Sequence, residues 1–141
     1  MNDISIRLAG ENDADEIESV IQRWWRTERR RERVQIIRAV LQKEGHEIIV
    51  AELEGMIVGI LHLVVRPDVM FADQYSHIAL LLVDKDHRRK GVGLKLLEKA
   101  MERAKEQGAA EIHVDTMEKE AEQLFRKLGF EDDGVMLARP I

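Results

Sequence analysis

The chain has 141 residues, 45% of them hydrophobic and 35% charged, enough for one globular domain over residues 1–141 and too short for two comfortable cores. It holds no cysteine, which excludes disulfide staples, thiolate metal sites and a cysteine nucleophile. A net charge of -5 disfavours nucleic-acid binding, the longest apolar run (residues 56–65) is too short to cross a membrane, and no leader-like stretch follows Met1, so the sequence reads as cytoplasmic.

Ile4, Ile6 and Leu8 alternate with Ser5 and Arg7 at the two-residue period of a strand, which Gly10 ends. Asn12 is placed to cap a helix with Asp13, Asp15 and Glu16 in its first turn and Ile17, Val20, Ile21 and Trp24 as its apolar stripe. Thr27 is the expected cap of a second helix reaching about Lys43, with Val34, Ile37, Val40 and Leu41 inward. Its arginine-rich approach, residues 24–33, has the composition of a nucleic-acid patch. Glu28 and Glu32 offer the arginines helical partners, however, and a solvated helix start is the better reading.

His46–Leu53 and residues 56–65 are β-rich and joined by Glu54-Gly55, a hairpin signature. Pro67 is expected to stop the second strand. A loop at residues 68–74, with Met70 and Phe71 exposed, then leads to a strand at about residues 75–83 whose end reads as buried on both faces. Leu94, Leu97, Met101 and Ala104 have helical spacing up to Gln107-Gly108. Ala110, Ile112 and Val114 form a strand parallel to the previous one, and Asp115 or Thr116 caps a helix carrying Ala121, Leu124, Phe125 and Leu128. Phe130 and residues 135–138 read as short strands around a turn at Asp132-Asp133-Gly134.

Chemistry concentrates in the loop 84–93. A helix N-terminus gathers unpaired N–H groups and the positive end of the helix dipole, Gly91 and Gly93 leave the backbone open, and Arg88, Arg89 and Lys90 add positive charge. Together they suit a bound diphosphate, the alternative being a basic turn that only connects strand to helix. Neither GxGxxG nor GxxxxGK[ST] is present.

Leu81-Leu82-Val83 followed by Arg88-Arg89-Lys90-Gly91-Val92-Gly93 and Leu94-Lys95-Leu96-Leu97 resembles the GNAT N-acetyltransferase pattern, a strand ending in Leu-x-Val and then [Q/R]xxGx[G/A] opening a helix. The resemblance resumes over residues 121–130, which close on Leu128-Gly129-Phe130, and includes Ile6-Arg7-Leu8-Ala9 with Asp13-Ala14-Asp15-Glu16-Ile17. It implies an α+β fold in α/β/α layers, with a mixed, mostly antiparallel twisted sheet of six to seven strands and about four helices. It also implies an enzyme that moves an acetyl group from acetyl-CoA to a primary amine of a small molecule or protein, by direct attack in a ternary complex. A homodimer is a family-level expectation.

Carried onto this sequence, the resemblance gives the main chain of Leu81, Leu82 and Val83 to the pantetheine arm. It gives Arg88 and the amides of Arg89, Lys90, Gly91, Val92, Gly93 and Leu94 to the pyrophosphate. Glu118 and Phe125 stand on the cosubstrate side, where many members carry an asparagine and a thiolate-protonating tyrosine. Phenylalanine has no proton to give, so the acid must be another group or water, and Tyr75 is the hydroxyl to consider beside a plain surface role. His77, eleven residues before Arg88, is the candidate base, the alternative being a hydrogen-bonded strand histidine. Strict alternation puts it on a face with Ala79, Leu81 and Val83. His62, His113 and Glu118 are weaker catalytic candidates, read as structural or surface. The five histidines show no metal-ligand spacing, and no metal is expected. Trp25 and residues 68–74 are the expected acceptor wall. The missing tyrosine keeps open a CoA-binding module without turnover, and the arginines a nucleic-acid binder.

Overall fold

The computed structural model describes residues 3–116 and 118–141. Strand β1 (Ser5–Leu8) runs into a 3-10 turn at Glu11–Asp13 and helix α1 (Ala14–Trp24). Asp13, not Asn12, is the N-cap residue of this helix. Its carboxylate accepts the Gly10 N–H at 2.7 Å and both Arg7 guanidinium nitrogens at 2.8 Å, which holds the Asp13 carboxyl below its ordinary pKa. Helix α2 (Arg30–Leu41) starts later than expected, because Thr27 caps a turn through the Arg29 N–H. Its arginines are not paired with Glu28 and Glu32. Arg30 donates twice to Glu18 of α1, at 3.0 and 2.8 Å, and Arg33 stands 3.5 Å from the other oxygen of the same buried carboxylate.

Glu54 and Gly55 both take left-handed backbone, φ 53° and 78°, as a tight hairpin turn needs, and they join β2 (His46–Leu53) to β3 (Met56–Asp68). Pro67 does not stop β3. It sits opposite Gln74 at the end of a second hairpin, where a missing N–H costs least. The turn that follows leaves Met70 and Phe71 exposed, as expected, and leads into β4 (Asp73–Val83). Helix α3 (Val92–Glu106), strand β5 (Ala109–Val114) and helix α4 (Lys119–Lys127) complete the order.

The five strands form one sheet in sequence order, antiparallel except for the parallel β4–β5 pair. Ile48, Val50, Ile57 and Ile60 face α1 and α2, while Ile49, Leu61, Leu63 and Ile78 face α3 and α4, giving the α/β/α layers. Strand count is where expectation and structure part. Residues 130–141 form no strand, so among the described residues the sheet has five strands rather than six or seven. Val135, Met136 and Leu137 are 73–87% exposed and gain no burial that would offset ordering them, and the preceding acids are drawn into side-chain pairs, Asp132 with Arg126 and Asp133 with His113. Among the described residues, the outer edge of β5 has no strand beside it. None of the described helices is long and apolar enough to cross a membrane.

Candidate active site

Strands β4 and β5 pair only from Gln74 opposite Ala109 to Ile78 opposite Val114. Beyond that point β5 has ended while β4 runs five residues further, so the edge of residues 79–83 turned away from β3 faces no strand among the described residues. A strand edge leaves N–H and C=O groups that need a partner. A crevice of about 60 Å³ opens here, with Ala79, Leu80 and Leu81 on one side and Val114, Ala121 and Phe125 on the other. This is also why the end of β4 is half-buried rather than buried on both faces.

At the head of the crevice the chain turns into α3. The His87 N–H bonds the Asp84 carbonyl at 2.8 Å and the Asp84 carboxylate accepts the Asp86 N–H at 3.2 Å, which folds a 3-10 turn at Lys85–His87. Arg89 and Gly91 then take left-handed backbone, φ 61° and 81°. Among the described residues, no acceptor is bonded to the amides of residues 89–94, which lead into the positive end of α3. The two glycines act differently. A Cβ on Gly91 would meet nothing within 4 Å, so that face is open, whereas one on Gly93 would stand 3.4 Å from Leu124 and 3.8 Å from Val83. Gly93 therefore lets α3 start close against α4 and the end of β4.

Arg88 is half-buried. One guanidinium nitrogen lies 2.8 Å from Glu118 and another 3.1 Å from Glu120, at the start of α4, and the group sits 4.5 Å above the ring centre of Trp24. Arg89 and Lys90 are exposed. Glu118 thus belongs to the crevice mouth as a partner of Arg88. Phe125 is 3% exposed and packs on Phe130, with ring centres 5.3 Å apart, as a core residue that also lines the crevice.

The other half of β4 presents a polar face. His62 pairs with Leu80 and Leu63 with Ile78, so Ala79 is an extra residue, a bulge that breaks alternation. Below the bulge, Ile78 shares the α3 side with Leu81 and Val83. His77 therefore lies on the opposite face, toward the side that Leu80 and Leu82 occupy, and not with Ala79, Leu81 and Val83 as alternation predicts. There it borders a hollow of about 1040 Å³ shared with Tyr75, Arg66 and His113. Tyr75 is sandwiched, with the Arg66 guanidinium 4.3 Å from its ring centre and the His113 ring stacked at 4.5 Å, while the His77 ring centre is 6.3 Å away. His113 contacts the Ser76 carbonyl at 3.1 Å, Glu111 at 3.3 Å and Asp133 at 3.2 Å. His62 lies behind, 3.0 Å from His46. Burial, and then the charges of His46 and His77, push its pKa down to about 4. Among the described residues, no group of three or more His, Asp or Glu side chains is arranged to hold a metal ion.

Residues 14–130 match the model of the acetyltransferase (GNAT) family, which covers both halves of the crevice, the turn and all four helices. The chain belongs to the GNAT acetyltransferase family. It is 29% identical over 101 residues to human N-acetyltransferase 8, a stretch covering 70% of this chain and 44% of that protein, so the match spans less than half of the relative. The fold superposes on a transcriptional regulator from Bacillus halodurans C-125 with TM-score 0.87 and 24% identity, covering 99% of this chain and all of that one. It also superposes on the aminoglycoside N-acetyltransferase AAC(6')-Iy in complex with CoA, with TM-score 0.86 and 19% identity, covering 99% and 96% of the two chains.

Within this GNAT frame the expected residues fall into two groups. Leu81, Glu118 and Phe125 line the crevice, Arg88 reaches its edge through Glu118, Leu82 and Val83 continue the strand to the turn at residues 88–94, and His77 and Tyr75 border the hollow. Arg66 carries no motif and is unmarked in the sequence, Trp24 reads there only as part of a helical stripe, and His113 stands only as a weaker candidate read as structural or surface.

Proposed function

We propose that the protein transfers an acetyl group from acetyl-CoA to a primary amine of a small molecule or protein, by direct attack in a ternary complex. One observation carries this reading: a run of unbonded amides at the start of α3 adjoins an unpaired strand edge and a crevice. An extended amide-bearing arm ending in a diphosphate satisfies both features, the arm along residues 81–83 and the phosphates on residues 88–94. Membership of the GNAT family supports the same cosubstrate.

In this reading the acceptor amine comes from the side of the hollow. His77 takes a proton from the ammonium form, the free amine attacks the thioester carbonyl, the C–N bond forms as the C–S bond breaks, the nitrogen releases its surplus proton to water, and the thiolate takes a proton from water or from Tyr75, which water then reprotonates. Glu111, Asp115, Glu122, Glu131, Asp132 and Asp133 outnumber Arg66 and Arg126 around the hollow, which favours a cationic acceptor. Trp25, 77% exposed, and the tip at residues 69–72 are the outer parts where acceptors would be distinguished. The reading also takes the protein to be cytoplasmic, homodimeric and without a nucleic-acid partner. Light scattering on the purified protein checks the dimer.

A second reading has support in Phe125, which supplies no hydroxyl to the crevice: a CoA-binding module without turnover. Two measurements decide. Free thiol release from acetyl-CoA with a panel of amines is expected to rise above the amine-free rate for at least one acceptor, and its absence across small amines and peptide N-termini favours the binding module. Gly91→Val is expected to weaken acetyl-CoA binding by calorimetry at least about tenfold, because a branched side chain disfavours left-handed backbone and covers the open face. Unchanged affinity rejects both readings of the turn.

A further inference from the structure

Trp24 ends α1, yet it is not needed there as core. The stripe is already closed by Ala14, Ile17 and Val20, each no more than 1% exposed, while Trp24 overhangs the end of the sheet half-buried. Three of its contacts are with polar or charged groups. The indole N–H donates to the carbonyl of Val83 at 3.2 Å, the Arg88 guanidinium lies 4.5 Å from the ring centre, and the Lys85 ammonium lies 5.1 Å from it. Arg88 in turn reaches Glu118 and Glu120. One ring therefore meets the last carbonyl of β4 and two cations at the edge of the amide-bearing turn, and through Arg88 it is tied to α4. Cations cluster on an indole because its π face is negative, and the ring holds them without neutralising them as a carboxylate does.

We propose that Trp24 is a positioning residue for the cosubstrate's diphosphate. The ring keeps Arg88 and Lys85 at the mouth of the turn, and the indole N–H fixes the end of the strand beside it. When the diphosphate binds, Arg88 exchanges the carboxylates of Glu118 and Glu120 for phosphate oxygens while remaining on the ring. This inference rests on the reading that residues 88–94 take the diphosphate. It adds a residue from a different helix, acting through Arg88.

The test compares acetyl-CoA with S-acetylpantetheine, which has the same thioester and arm but no diphosphate. Trp24→Leu is expected to lower affinity for acetyl-CoA about tenfold and that for acetylpantetheine by a clearly smaller factor, the part due to the freed Val83 carbonyl. Trp24→Phe, which keeps a ring and loses the N–H, is expected to fall between, and guards against a folding defect in the leucine variant. The wild-type protein should also change its tryptophan emission when acetyl-CoA is added, a signal lost in Trp24→Phe because Trp25 is the only other tryptophan. Equal losses for both donors would show a structural role and overturn the proposal. So would unchanged affinity for acetyl-CoA in Trp24→Leu when Gly91→Val has lost it. If both variants bind acetyl-CoA normally, the diphosphate reading itself falls, and this inference with it.

Discussion

His77 shows how far a single position is readable. Its spacing from Arg88 is fixed by the sequence, and the structure sets it one residue before the point where β4 and β5 part, beside Tyr75 and the hollow. As a general base it is expected to contribute about 10²–10⁴-fold to kcat/KM. His77→Gln should therefore lose at least a hundredfold and flatten the acidic limb of the pH–rate profile. A variant that keeps both would assign the base elsewhere. What the sequence did not disclose was its face. Ala79 is neither glycine nor proline, so nothing marks it as a bulge, and the apolar run from Ile78 to Val83 conceals the break in alternation. Trp24 was hidden for the opposite reason, since it falls on a helical stripe whose other members really are core.

Elements were legible where the chain carries turn chemistry. Glu54-Gly55, Gly91 and Gly108 all take positive φ where a turn or a helix boundary was expected. Elements that depend on a distant partner were not, and residues 130–141 look strand-like only in composition. Helix α4 lies between these cases. Its stripe is plain in the sequence, but Phe125 is the one residue of α4 that is buried, and it reaches Phe130 just past the helix. Phe125→Ala is expected to cost about 3–5 kcal/mol if α4 unfolds with the rest of the domain. A urea titration checks this through a lower midpoint with an unchanged slope. A lower slope with only a small loss would mean that α4 frays on its own, and acetyl-CoA binding should then fail before the core does.

At the scale of the molecule, two apolar layers flank a sheet whose far end is polar on the α1 side, with His46, His62, His77 and His113 gathered there from four strands. Burial lowers the pKa of His62 from its ordinary 6.5 to about 4 and moves that of His46 in the same direction. The unfolded chain therefore takes up protons before the folded one does, and stability falls as pH drops. Its contribution is complete above about pH 6.5 and declines toward pH 4, the window set by those two values. Thermal midpoints measured from pH 8 to pH 4 should fall across it, and His62→Gln should reduce that slope, with His46 responsible for part of what remains. A wild-type midpoint that stays level between pH 6.5 and 4.5 would contradict the burial of a neutral His62.

The extra residue in β4 bears on how this strand tolerates change. Alternation along a strand behaves as a two-letter reading frame, and Ala79 is a single inserted letter. Upstream of it the frame sends Tyr75 and His77 to one side, and downstream it sends Leu81 and Val83 to the other. Removing that one residue would leave a regular alternation with every side chain on the face it already occupies, His77 with Leu80 and Leu82, and Ile78 with Leu81 and Val83. Deleting Leu80 as well would force a choice: either the imidazole turns toward α3, or Leu81 and Val83 leave their core. Loss of the single bulge residue should therefore be tolerated better than loss of two, although every deletion shortens the same strand.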